Sequence, residues 1–303
     1  MTQLSKKQAW LHAMRFRTLP LAVASIILGS FLAASHDLFD WAISLLCVLT
    51  AVFLQILSNL ANDYGDSVHG ADLVPREGPQ RAVQSGVISA AEMKRAMGLF
   101  AILSAISGLL LIFISFDPSQ LPMVFLFILL GGGAVAAAVL YTAGSNPYGY
   151  AGLGDLFVLI FFGWVGTMGT YFLQAQSLNG MVFLPATAVG LLSVGVLNVN
   201  NIRDIKSDAL AGKHSIPVRV GGKRARQYHW FLLITAVLFA TAYVLLNFNS
   251  GWQFLYVLAL PLLWKNGTAV SGTDDPIKLN PMLKQLSLST LVFVITFGIG
   301  QLI

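Results

Sequence analysis

Apolar residues in this chain come in long runs, and polar residues collect between them. The run WAISLLCVLTAVFLQIL, residues 41–57, carries no charge at all. A helical crossing of a bilayer needs about 20 apolar residues, with a range of roughly 17–25. Nine stretches approach that length, near residues 18–35, 41–61, 97–116, 121–143, 152–174, 180–200, 229–248, 252–270 and 284–303. The eighth has the shortest clean core, because Lys265 and Asn266 fall inside it. A signal peptide is the rival reading of the first stretch. It is set aside because the basic region ahead of it is long and the rest of the chain itself reads as a membrane protein.

Composition agrees with the pattern. Of 303 residues, 56% are hydrophobic and only 10% are charged, whereas soluble domains carry about 25% charged residues. No soluble domain, low-complexity tract or short repeat interrupts the runs, so residues 1–303 read as a single transmembrane domain. The lone cysteine, Cys47, sits inside an apolar run and allows no disulfide within the chain.

Charge gives the orientation. With nine crossings, the N-terminus and the loops after segments two, four, six and eight share one side, and all 18 Lys and Arg residues fall there. The opposite side carries Asp37, Asp40 and Asp117 with no Lys or Arg. Cytoplasmic loops carry the excess of Lys and Arg, so the N-terminus and the even-numbered loops are expected in the cytoplasm. The basic loop 219–226 reads as a surface for anionic lipid rather than nucleic acid.

Two polar clusters stand at cytoplasmic helix ends, where ionisable residues are costly and tend to be functional. SNLANDYGDSVHGAD, residues 58–72, follows segment two, and NVNNIRDIKSDALAGKHSIPVRVG, residues 198–221, follows segment six. Asn200, Asp204 and Asp208 are four residues apart, as are Asn62 and Asp66. That spacing stacks side chains on one helix face. Asn59 and Asp63 have the same spacing, so geometry alone leaves two registers for the first cluster. Facing carboxylates of this kind suit Mg²⁺, which takes one or two carboxylates together with phosphate oxygens. Arg76, Arg81, Arg203, Lys206, Lys213 and Arg219 lie nearby to hold remaining phosphate charge. The five histidines form no metal-ligand pattern, and the glycines of GSNPYGYAGLG read as a tight turn rather than a phosphate loop.

The pair Asn62-x3-Asp66 with Asp72 and Asn200-x3-Asp204-x3-Asp208 resembles the paired Asp-rich motifs of the UbiA superfamily of intramembrane prenyltransferases. RFRTLPLAVASIILGS, REGPQRAVQSGVIS and YTAGSNPYGYAGLGDLFVLIFFGW narrow the resemblance to its 1,4-dihydroxy-2-naphthoate polyprenyltransferase branch. The chain departs from the general superfamily pattern at Gly70, where a third acid would stand; Asp72 comes two residues later, a spacing similar to that branch.

The resemblance implies an all-α bundle of nine transmembrane helices around a central cavity, open sideways to lipid and capped by cytoplasmic loops, in a bacterial cytoplasmic membrane. The donor would be a polyprenyl diphosphate and the acceptor 1,4-dihydroxy-2-naphthoate, giving demethylmenaquinone with loss of CO₂ and diphosphate. Asn62, Asp66, Asp72, Asn200, Asp204 and Asp208 would hold Mg²⁺ against the diphosphate, and the resemblance favours Asn62 with Asp66 as the register. Tyr141 would face the allylic cation; its other reading is an interfacial aromatic anchor. Arg76 and Arg81 would take diphosphate or carboxylate in a bidentate way, or serve topology alone. Asp155 would be a polar group at the cavity mouth or a helix cap. A 4-hydroxybenzoate prenyltransferase is the main alternative. A transporter fits less well, because the acids sit at one rim rather than along a path.

Overall fold

The computed structural model describes residues 5–68, 82–144 and 146–303, and among these all regular structure is helical. A short helix α1 (Lys6–Met14) is closed at its start by a capping box of Ser5 and Gln8. The chain turns at Arg15 (φ 49°) into α2 (Leu19–Ala34), whose first turn holds Pro20. There follow α3 (Trp41–Val68), α4 (Ala90–Ser115) behind a second capping box of Ser89 and Glu92, and α5 (Leu121–Leu140). Next, α6 (Gly154–Val158) and α7 (Gly166–Ala175) are joined through a π-helical turn at Leu159–Val165. Then come α8 (Phe183–Arg203), α9 (Ile205–Leu210), α10 (Ile216–Val220) and α11 (Gly222–Leu246). The chain ends in α12 (Leu260–Ser271) and α13 (Pro276–Leu302).

Eight described helical segments are long and apolar enough to cross a bilayer. The expected crossing near 252–270 is built differently, as a 3₁₀ stretch, Gly251–Ala259, running into α12. Pro261 accounts for the change, since proline has no N–H to donate and starts a helix rather than continuing one. Asn266 does not interrupt α12. It is fully buried, donates to Met282 O at 3.0 Å and lies 2.9 Å from His229 Nε2.

Lipid tails are as apolar as leucine, so close packing rather than escape from water holds such helices together. One core joins α2, α8, α11 and α13 through Leu28, Leu192, Leu233, Leu286 and Phe293. A second joins α1, α3 and α4 through Leu57, Leu60 and Met93. A Cβ on Gly163 would stand 2.9 Å from Gly190 Cα, so α8 meets the π-helical turn at a distance only glycine allows.

Helix α3 has 28 residues, about 42 Å at ~1.5 Å per residue. That exceeds the ~30 Å hydrocarbon thickness. Its last turns therefore stand beyond the apolar zone, and those turns carry Asn62 and Asp66.

Candidate active site

A cavity of about 690 Å³ lies inside the bundle. Its polar end is lined by Asn62 and Asp66 of α3, Asn200 of α8, Lys213, Tyr141 and Thr142, while most of its remaining wall is apolar. Two helix ends far apart in sequence thus meet at one end of one cavity.

Helix α3 is fixed there by the turn after α5. Thr142 Oγ1 lies 2.9 Å from Asn62 Oδ1 and 3.0 Å from Ala61 O. A Cβ on Gly65 would fall 2.4 Å from Thr142 O, so glycine is required for the two backbones to touch. The Tyr150 hydroxyl donates to Asp66 Oδ1 at 3.0 Å. Asp63 faces elsewhere. It is buried and accepts the Ala82 N–H at 3.2 Å. Asn59 lines the cavity but donates to Met14 O at 2.8 Å.

In the second cluster α8 ends at Arg203, yet the i→i−4 bonding continues through Asp204 N–H to Asn200 O (3.1 Å) and Asp208 N–H to Asp204 O (2.8 Å). The four-residue face predicted for Asn200, Asp204 and Asp208 survives the break between α8 and α9. Arg203 is buried and grips Asp204 in a bidentate pair, Nε to Oδ1 at 2.8 Å and Nη2 to Oδ2 at 2.7 Å. It also donates to Asn200 Oδ1 at 2.8 Å and to Asn280 Oδ1 at 2.9 Å. Such a planar fork fixes direction as well as charge. Lys213 Nζ stands 3.4 Å from Asp208 Oδ2 and 5.9 Å from the centre of the Tyr141 ring.

The cap over this end is stitched by the backbone. His214 N–H donates to Tyr150 O at 2.9 Å, and Arg219 donates to Ala151 O at 2.6 Å and His214 O at 2.9 Å. Tyr148 donates to Ala137 O at 2.8 Å, and burial, with Tyr141 adding, pushes its phenol above the ordinary tyrosine range. It therefore stays protonated as a donor.

The predicted residues divide accordingly. Asn62, Asp66, Asn200 and Tyr141 line the cavity; Asp204 and Asp208 are buried and are not part of its lining. Arg203, expected to meet substrate, is off the wall and spends its donors on Asp204, Asn200 and Asn280. Lys206 is exposed on α9 and off the wall as well. Asp155, also off the wall, accepts from Tyr228 at 3.0 Å. Asp72, Arg76 and Arg81 lie outside the described residues. Among the described residues no three of His, Cys, Asp and Glu form a metal-holding group. Asp204 is paired with Arg203 and Asp208 with Lys213. Sequence reasoning gave no role to Thr142 or Tyr150, and counted Lys213 only among nearby positive charges.

Comparison with known proteins places this arrangement. The UbiA prenyltransferase family matches residues 22–275. The chain belongs to that family. It is 46% identical to the 1,4-dihydroxy-2-naphthoate octaprenyltransferase of Escherichia coli, across 99% of this chain and 98% of the relative. It is 36% identical to the Mycobacterium tuberculosis protein of the same name, across 97% and 98%. A UbiA homolog from Aeropyrum pernix shares the fold at a TM-score of 0.67 with 20% identity, covering 95% and 96% of the two chains. A UbiA homolog from Archaeoglobus fulgidus, solved with GPP and Mg²⁺, aligns at a TM-score of 0.61 with 16% identity, covering 97% and 99%.

The residues of this UbiA chain fit a magnesium ion by donor chemistry. Asn62, Asp66 and Asn200 bring amide and carboxylate oxygens to one end of the cavity, where Asp204 shares Arg203 with Asn200 and Asp208 pairs with the lining Lys213. Oxygen donors without sulfur or imidazole suit Mg²⁺.

Proposed function

We propose that the chain transfers a polyprenyl group from a polyprenyl diphosphate to 1,4-dihydroxy-2-naphthoate, releasing diphosphate and CO₂, in menaquinone biosynthesis. The full-length identity to relatives named for this reaction supports the substrate pair. The observation that carries the reading is a cavity that is polar and carboxylate-bearing at one end and mostly apolar along its length. A diphosphate with an isoprenoid tail has the same division.

Asn62, Asp66, Asn200, Asp204 and Asp208, with Asp72, would hold Mg²⁺. When bound, the ion offsets the charge gathering on the departing diphosphate. Lys213 adds a cation at that end of the cavity, and Arg76 and Arg81 are its proposed companions. Arg203 holds Asp204 and Asn200 in place. Tyr141 presents its ring to the space beside Lys213, where an allylic cation is stabilised by an aromatic face. Asp155 positions Tyr228 at the mouth.

We place the whole activity in one domain, residues 1–303, in a bacterial cytoplasmic membrane, with the N-terminus and the active-site loops cytoplasmic. The surrounding bilayer lipid is its solvent and the reservoir of its donor. Product analysis on purified protein tests the reading, offering 1,4-dihydroxy-2-naphthoate and 4-hydroxybenzoate in parallel, with and without EDTA. Prenylated naphthoate-derived product, abolished by EDTA and restored by Mg²⁺, is expected. Prenylation of 4-hydroxybenzoate alone, or full activity in metal-free buffer, would contradict it.

A further inference from the structure

The second polar cluster sits where one helix stops and another starts. Helix α8 ends at Arg203 and α9 begins at Ile205, with Asp204 between them. Three of the Arg203 bonds go to Asp204 and Asn200, its own near neighbours in the chain. Bonds within one short segment hold its side chains to each other but leave their direction relative to the bundle open. The fourth bond leaves the segment. It runs from Arg203 Nη1 to Asn280 Oδ1 on α13 at 2.9 Å, across 77 positions.

Asn280 is built to serve as the fixed point. It is half-buried, about one turn into α13, and is not part of the cavity lining. The start of α13 is itself secured. Pro276 opens the helix, and Asp275 Oδ1 accepts the Ile277 N–H at 2.9 Å. Arg226 of α11 clamps the turn ahead of it, donating through Nε to Val270 O at 3.1 Å and through Nη2 to Thr273 O at 2.8 Å, and pairing with Asp274 Oδ1 at 2.6 Å. The residue type matters as well. Arg203 is buried, and a buried guanidinium N–H without an acceptor is costly. A carboxylate on α13 would compete with Asp204 for the guanidinium. The amide oxygen of asparagine supplies an acceptor with no net charge.

We propose that Asn280 is a positioning residue for the second polar cluster: through Arg203 it fixes the direction in which Asn200 and Asp204 present their oxygens. This rests on the reading of that cluster as a holder of Mg²⁺ and diphosphate. Asn280 touches neither. It anchors the one guanidinium that both Asn200 and Asp204 share, and so ties the break between α8 and α9 to the secured start of α13.

The test uses the full chain in lipid nanodiscs. Mn²⁺ binding in the presence of inorganic diphosphate is followed by EPR, beside kinetics with a polyprenyl diphosphate and 1,4-dihydroxy-2-naphthoate, and thermal unfolding. Asn280→Leu and Asn280→Ala both remove the acceptor, the first at similar volume. Each is expected to weaken Mn²⁺ binding about tenfold and to lower kcat by a similar factor, the scale of losing one bond to a charged group. KM for the naphthoate is expected to change little. Mn²⁺ affinity equal to that of the unaltered protein would overturn the proposal, whatever the unfolding temperature does. A double-mutant cycle adds a second check. Arg203→Lys keeps the charge and loses the fork, so Asn280→Leu is expected to cost little more in that background. Full additivity of the two losses would mean that Asn280 does not act through Arg203. If Mn²⁺ binding weakens as expected but the unaltered protein prenylates no naphthoate, the positioning role stands and the prenyl-transfer reading fails.

Discussion

Tyr150 holds Asp66: its hydroxyl donates to Asp66 Oδ1 at 3.0 Å, while its own carbonyl accepts the His214 N–H at 2.9 Å. One residue thereby ties the first Asp motif to the loop beyond the second. The two helix ends are separated by more than a hundred residues, and this short bridge sets how they face each other across the cavity. The hydroxyl is a neutral donor, so it orients Asp66 without bringing a positive charge to it.

Removing the hydroxyl alone isolates that role. A hydrogen bond to a charged group is worth about 1.5–3 kcal/mol. Tyr150→Phe is expected to lower turnover by roughly 10-fold or more and to raise the Mg²⁺ concentration for half-maximal activity, with thermal stability little changed. A purely structural hydroxyl would lower stability and leave the Mg²⁺ dependence where it was.

Asp66 and Asp63 are three residues apart and differ in what they face. Asp66 lines the cavity, and Asp63 accepts a backbone N–H from Ala82. Asp66→Asn and Asp204→Asn are each expected to lower turnover by at least roughly 10²-fold, the scale of losing a main electrostatic stabiliser. Asp63→Asn is expected to cost less activity and to show mainly as a lower unfolding temperature. Kinetics and thermal unfolding on equally expressed proteins decide it. A larger catalytic loss from Asp63→Asn would move the assignment to Asn59 with Asp63.

Much of this was legible in the sequence, for a physical reason. In a bilayer every backbone group must be satisfied within its own segment, so long apolar runs announce helices and their ends announce where polar residues can gather. That made α3, α8 and a polar cluster at the end of each readable from the pattern, while the choice of Asn62 with Asp66 over Asn59 with Asp63 came from the family resemblance, since both pairs have the same spacing. Tyr150 and Lys213 were harder to read. Each acts through a contact across the fold, Tyr150 with Asp66 over 84 positions and Lys213 with the Tyr141 ring. Arg203 looked like a phosphate ligand because its charge is visible and its bidentate grip on Asp204 is not. The segment near 252–270 reads as the crossing with the shortest clean core because of Lys265 and Asn266, whereas the change in its helix type falls at Pro261.

Orientation is checked by labelling. Leu210, 73% exposed on α9, and Ser119, exposed in the turn between α4 and α5, stand at opposite ends of the bundle. The native Cys47 is buried and adds little background. In sealed, oriented vesicles, Leu210→Cys is expected to react with a membrane-impermeant maleimide only from the cytoplasmic side, and Ser119→Cys only from the other. Reversed reactivity would overturn the topology read from the Lys and Arg distribution.

The central claim is prenyl transfer with loss of the acceptor's carboxyl group, and its most direct measurement tracks that carbon. Purified protein in nanodiscs is given a polyprenyl diphosphate, Mg²⁺ and 1,4-dihydroxy-2-naphthoate labelled in the carboxylate. The account predicts labelled CO₂ released in equal amount to the prenylated naphthalene diol formed, with diphosphate in the same ratio. Label retained in the prenylated product, or no reaction of this acceptor while another aromatic acid is prenylated, would contradict it.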